Sequence, residues 1–187
     1  AIPGGWAFYD GTSMAAPHLA GMAAVILGAE GSAEWEAWQV RSAIVNTAVR
    51  GGVVTSDGSA MTDVQKVGSG LADLGAAVDA KVALSSPSVS FGAIPSGSGR
   101  LLTKELTITN LTEEKLSMLV GVEDPSGVGE FDVSVARPLT LEPAESAQIR
   151  VNFQAPKGSP VGGTQAFLVV RSAGEELAHA ALYAYIK

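Results

Sequence analysis

A chain of 187 residues has room for one or two domains with real cores, and 47% hydrophobic against 17% charged residues describes a globular protein. The 12 basic and 19 acidic residues give a net charge of -7 with no Lys/Arg run, which argues against nucleic acid and anionic membrane surfaces as partners. The absence of cysteine excludes disulfides, thiolate metal sites and cysteine nucleophiles, and leaves the compartment open.

In chain order, Trp6 to Tyr9 reads as a short strand entering the Asp10-Gly11 turn. Ser13 to Leu27 is apolar on nearly every side, which predicts a central, buried helix ended by Gly28. Residues 11–29 carry no formal charge, yet Pro17, His18 and Gly11, Gly21 and Gly28 make a helix inside a domain a better reading than a membrane span. No signal peptide is visible. A second helix is expected from an N-cap at Ser32, with Glu34 and Glu36 in the first turn where the dipole favours them. Ala37, Val40, Ile44 and Ala48 then recur at helical spacing up to Gly51-Gly52. Residues 53–68 read as an irregular excursion, and Gly68 to Asp73 opens a last short helix through Val78.

The pattern changes near residue 84. Beyond it, apolar and polar residues alternate at 105–109, 116–122, 131–135 and 147–153, with longer apolar runs at 164–171 and 177–186. With Ser88–Phe91 and Leu139–Leu141 these make seven or eight short strands, the count of a two-sheet antiparallel sandwich of the immunoglobulin or fibronectin type III kind. The expected division is therefore residues 1–84, an α/β segment, and residues 85–187, an all-β sandwich.

The residues with chemistry cluster at the start. Ser13 follows a small-residue turn at the head of a helix, where free backbone N–H groups and the positive dipole end suit a nucleophile and the oxyanion it generates. Pro17 sits four residues on, where the helix gives up no carbonyl upstream of the serine. A serine hydroxyl still needs a base. The chain has only two histidines. His18 is five residues past Ser13, about one and a half turns round the helix, and cannot reach its hydroxyl. His179 falls in an expected strand, where a partly buried sheet position is the default.

The string Gly11-Thr12-Ser13-Met14-Ala15-Ala16-Pro17-His18-Leu19-Ala20-Gly21 resembles the active-serine signature of the subtilisin-like serine proteases (subtilases). Gln39 to Ala48, ending in Thr47-Ala48, resembles the helix that follows, and Gly68-Ser69-Gly70-Leu71-Ala72-Asp73 the close of the catalytic domain. Pro87-Ser88-Val89-Ser90-Phe91-Gly92 and Leu106 to Asn110 carry a weaker resemblance to the fibronectin type III-like domains that follow it in large secreted subtilases. The resemblance implies the C-terminal part of a subtilisin-like catalytic domain, with Ser13 as nucleophile and its backbone N–H as an oxyanion donor. The family's Asp–His–Ser order puts the other two triad members upstream. The isolated chain is then expected to be inactive, its partners being the upstream part of the same domain and a protein or peptide substrate, and its location secreted or cell-surface. No cofactor is implied, calcium being an option of the complete enzyme.

Weaker signals read otherwise. Asp57, Asp63 and Asp73 fit no calcium loop and are expected to be solvated or to cap. Asn110-Leu111-Thr112 is a formal glycosylation sequon, a pattern short enough to arise by chance. Glu113-Glu114-Lys115 reads as a hairpin tip, and Trp35 with Trp38 as core or interface residues on one helix face. Two other readings compete with the protease fragment. The sandwich could be a non-catalytic binding or surface-attachment module carrying a protease remnant, or the chain could be one piece of a nicked protease that pairs with the other.

Overall fold

The computed structural model describes residues 4, 5, 7, 9–29, 34–95, 99, 101–124, 130–155 and 158–187. Four helices come first: α1 (Thr12–Gly28), α2 (Ala37–Asn46), α3 (Val64–Val67) and α4 (Leu74–Val78). The strand expected over Trp6–Tyr9 falls partly on residues 6 and 8, and the Ser32 N-cap on residue 32, all outside the described residues. Among the described residues it is Glu36 that caps α2. Its side chain takes the N3 amide while the Gln39 side chain takes the Glu36 N–H, a reciprocal box that moves the helix start to Ala37. The irregular excursion at 53–68 holds one helical turn, α3, capped by Asp63.

The β strands are β1 (Val82–Leu84), β2 (Ser88–Ile94), β3 (Leu101–Asn110), β4 (Leu116–Glu123), β5 (Phe131–Ser134), β6 (Leu139–Leu141), β7 (Ser146–Gln154), β8 (Gly162–Ser172) and β9 (Glu175–Ile186). They form a four-stranded sheet in the order β1-β3-β7-β5 and a five-stranded sheet in the order β2-β9-β8-β4-β6. Every pairing is antiparallel except β2 on β9, which is parallel. The alternation at 105–109 and 147–153 does what it predicts. Leu106 and Ile108 of β3 are buried with Ile149, Val151 and Phe153 of β7, while Glu105, Thr107, Gln148, Arg150 and Asn152 between them are exposed or half-buried; Thr109 departs from the pattern and is buried. One buried core spans both sheets, so the two form a β-sandwich. Phe91, Phe131 and Phe153 fill one end of it with ring centroids 4.7–6.0 Å apart. Glu113 to Lys115 lie at a corner, not a hairpin tip, because β3 and β4 belong to different sheets.

The helices build a second, smaller core: Ile26 of α1, Val40, Ala43 and Ile44 of α2, and Ala77 and Ala80 at α4. Trp35 packs against it, in keeping with a core role, while Trp38 donates its indole N–H to the Glu36 carboxylate at 2.8 Å. Within the described chain α1 is not buried as a central helix would be, and it shows the exposed apolar surface expected of a piece separated from its partner. Ile26 is its one buried residue among 17, and the helix is exposed along its entire N-terminal half. Uniform apolarity in a sequence reports the environment a segment is suited to, and nothing in the described chain covers α1 on the remaining sides.

Candidate functional site: the head of helix α1

Ser13 sits in the first turn of α1 and is exposed. Gly11 supplies the turn, with φ at 134°, a conformation that L side chains rarely adopt. The N–H groups of Met14 and Ala15 both donate to the Gly11 carbonyl, at 3.0 and 3.2 Å. The intrahelical ladder thus begins one residue after Ser13 and leaves the Ser13 N–H outside it, beside the helix's positive end. Pro17 is within the helix and has no N–H to give to the carbonyl four residues back, which is Ser13's own. Among the described residues the arrangement presents a hydroxyl and an uncommitted N–H on the same residue at an open surface, the pairing an acyl-transfer nucleophile requires.

No base stands beside that hydroxyl among the described residues. His18 places Nδ1 2.7 Å from the Met14 carbonyl, one turn back on its own helix, so its ring is used to brace α1. His179 lies in the sandwich, on β9, and is 2% exposed. Its Nε2 is 2.8 Å from the Ser69 carbonyl and its Nδ1 3.0 Å from the Glu176 carboxylate, with the Phe167 ring edge-on at 5.6 Å. Burial pushes the imidazole below its ordinary range. The Ser69 carbonyl and the Glu176 carboxylate pull the other way and the Arg50 charge adds to the lowering. The structure therefore does not bring Ser13, His18 and His179 together.

The aspartates act as caps and turn locks. Asp63 accepts from the Gln65 N–H at 3.0 Å, Asp73 from the Ala76 N–H at 3.1 Å, and Asp57 from the Ser59 N–H at 3.0 Å and the Thr55 hydroxyl. Among the described residues no three His, Asp or Glu side chains converge as a metal site would require. The sequon asparagine, Asn110, is fully buried. Its amide donates to the carbonyls of Glu114, Leu141 and Glu142, and its oxygen accepts from the Thr112 N–H and hydroxyl. It knits the β3–β4 corner and has no free nitrogen to offer a glycan. No helix among the described residues is long and apolar enough to cross a membrane.

Sequence reasoning missed the polar seam between helices and sandwich. Arg50 reaches Glu123 on β4 at 2.8 Å and Glu176 on β9 at 2.6 Å while lying 5.1 Å over the Phe167 ring, and Arg171 joins the same two carboxylates. The two guanidiniums hold the Glu123 carboxyl below its usual range. Gln165 on β8 accepts from the Val64 N–H and donates to the Thr62 carbonyl. Asn46 and Ser42 complete the seam from α2. Their partners lie between 41 and 133 residues away, beyond any local periodicity; the one hint was Asn46 itself, inside the stretch that resembles the subtilase helix.

Comparison with known proteins places this geometry. Residues 4–86 match the model of the subtilase family. Over 179 residues the chain is 31% identical to the minor extracellular protease Vpr of Bacillus subtilis (strain 168), covering 94% of this chain and 21% of that protein. Over 65 residues it is 38% identical to the alkaline elastase YaB of Bacillus sp. (strain YaB), covering 34% of this chain and 17% of the relative. The chain thus spans about a fifth of the length of the curated relatives it matches. Among solved structures, a PapD-like domain of human CEP192 aligns at 16% identity and a TM-score of 0.42, covering 58% of this chain and 86% of that one. The E. coli chaperone DraB aligns at 14% identity and 0.41, covering 56% and 55%.

Proposed function

With residues 4–86 matched to the subtilase family, we propose that this chain is the C-terminal part of a secreted subtilisin-like serine endopeptidase. Ser13 is the nucleophile. The helical part is the end of the catalytic domain, and residues 85–187, joined by β1 (Val82–Leu84) as a strand of the four-stranded sheet, are a sandwich of the immunoglobulin or fibronectin III-like kind. The observation that carries the reading is the head of α1: an exposed serine whose own N–H lies outside the helical ladder, on an apolar helix that the rest of the described chain leaves uncovered. An upstream segment of the same domain covers that helix and brings the base.

In the complete site an upstream histidine takes the Ser13 proton as the hydroxyl attacks the substrate carbonyl, and an upstream aspartate orients that histidine. The Ser13 N–H donates to the tetrahedral oxygen, assisted by the dipole of α1. The tetrahedral intermediate collapses as the histidine gives that proton to the leaving amine and the C–N bond breaks, and a water deprotonated by the same histidine then hydrolyses the acyl-enzyme on Ser13. Without the upstream residues none of these proton transfers has a partner. In subtilisin, a member of the matched family, loss of the serine or histidine costs roughly 10⁶-fold in kcat, so the isolated chain is inactive. Secretion accords with the extracellular protease among its relatives. The test is covalent capture of Ser13 by a fluorophosphonate probe in the complete protein, with Ser13→Ala as control.

A further inference from the structure

The sandwich and the serine helix never touch directly in the region of Ser13, where every residue from Gly11 to Ala20 is exposed. Their connection runs through α2 and, beside it, through α4, whose Ala77 and Ala80 belong to the same small core as Ile26. On one face, Val40, Ala43 and Ile44 pack with Ile26, and Met22 and Ala23 of α1 lean on the same cluster. On the other face, α2 turns Asn46 and Ser42 toward the strands, both essentially fully buried. The Asn46 amide donates to the His179 carbonyl on β9 at 2.7 Å and to the Pro87 carbonyl, between β1 and β2, at 3.0 Å. Its oxygen accepts from the Ser42 hydroxyl at 2.9 Å, and that hydroxyl oxygen accepts from the Leu84 N–H of β1 at 2.7 Å. Arg41 adds a longer contact, 3.5 Å, to the Ser85 carbonyl.

We propose that the β-sandwich is the foundation of the nucleophile helix. Asn46 is the positioning residue through which β1, β9 and the β1–β2 turn fix α2, and through α2 fix α1 and Ser13. Three features carry this. First, the amide of Asn46 is fully used: both of its donated bonds end on sandwich carbonyls, and its oxygen is held by a hydroxyl itself tied to β1. A buried amide so satisfied has one orientation, and it locks helix to strand in register. Second, every described contact of α1 with the small core lies in its C-terminal half, so the direction in which Ser13 points is set at Met22 to Ile26 by α2 together with α4. Third, the remaining seam bonds, from Arg50, Gln165 and His179, tie the segment between α2 and α4 to the five-stranded sheet, so that the chain leaving α2 is held as well. A sandwich attached merely as a passenger needs none of these.

The holding role is independent of the protease reading, and its catalytic consequence rests on it; the experiment separates the two. Amide hydrogen exchange is followed in this chain for wild type, Asn46→Ala, Ser42→Ala and, as a control on the opposite sheet face, Thr103→Ala, which removes an exposed bond to Asn152. Asn46→Ala is expected to speed exchange in α2 and in Met22–Gly28 at least about tenfold while β3 and β7 keep their protection, Ser42→Ala to do so more weakly, and Thr103→Ala not at all. If Asn46→Ala does not fold, the Ser42→Ala comparison decides. Unchanged helices in the variants that fold, or loss spread evenly over helices and sandwich, overturns the proposal. In the complete enzyme, Asn46→Ala is expected to lower kcat by about tenfold or more with KM within about twofold, since it misaims the nucleophile without touching the pocket. A lost KM with kcat intact contradicts the positioning role. Helices that loosen in an enzyme with no Ser13-dependent activity leave the holding role standing and refute the protease reading instead.

Discussion

At the scale of single residues, His179 shows how position overrides chemical identity. Beside a nucleophilic serine a histidine is the first candidate for a base, yet this one is sealed against Ser69, Glu176, Arg50 and Phe167. Because burial holds its folded value below the ordinary 6.5, the unfolded chain binds the extra proton first as pH falls. Its contribution to stability is therefore complete above pH 6.5 and lost progressively below it. Urea denaturation measured from pH 7.5 to 5 should show stability falling by up to about 1.4 kcal/mol per pH unit below that point. In His179→Gln the fall over this window should be shallower, and an identical slope would assign it to other groups. Asn110 carries the same lesson in reverse. Its sequon is formally intact, and only its burial with five hydrogen bonds reveals a structural part.

At the scale of elements, α1 is where sequence and structure diverge most informatively. Its limits were legible, Ser13–Leu27 expected against Thr12–Gly28 observed, because Gly11 and Gly28 bracket a mostly apolar run without formal charge. Its burial was not, because periodicity reports what a helix is fit to pack against and not whether the partner is present. Leu19 and Leu27 are both 44% exposed and Val25 50%, an apolar surface that drives association. Leu19→Glu and Leu27→Glu should suppress self-association in light scattering while changing the stability of this chain by no more than about 0.5 kcal/mol. In the complete protein the same charges would be buried and should block folding. A large destabilisation of the isolated chain would show that α1 is already packed. The start of α2 was misplaced for a different reason. Ser32 is the better N-cap by type, but Glu36 with Gln39 closes a reciprocal box three residues apart, which satisfies two amides at once.

At the scale of the whole molecule, the strands were legible from alternation, whereas their assembly was not. β1 is three residues long, too short for a period, and its pairing with β3 makes Val82 and Leu84 part of the sandwich core. A fragment of residues 80–187 should therefore outlast one of residues 85–187 in urea by roughly 3–6 kcal/mol, the worth of burying those two side chains. Equal midpoints would show that β1 belongs energetically to the helices. The seam of Asn46, Arg50, Gln165 and His179 likewise joins residues remote in sequence, and it makes the sandwich a wall of the helical part rather than a bead on a string.

Fluorophosphonate labelling decides whether Ser13 is a protease nucleophile served by an upstream base. This chain alone is compared with the complete protein, each beside its Ser13→Ala variant, and the modified peptide is identified by mass. The expected result is labelling at Ser13 in the complete protein only. Ser13-dependent labelling of the isolated chain, or a complete protein labelled at some other residue, would contradict it.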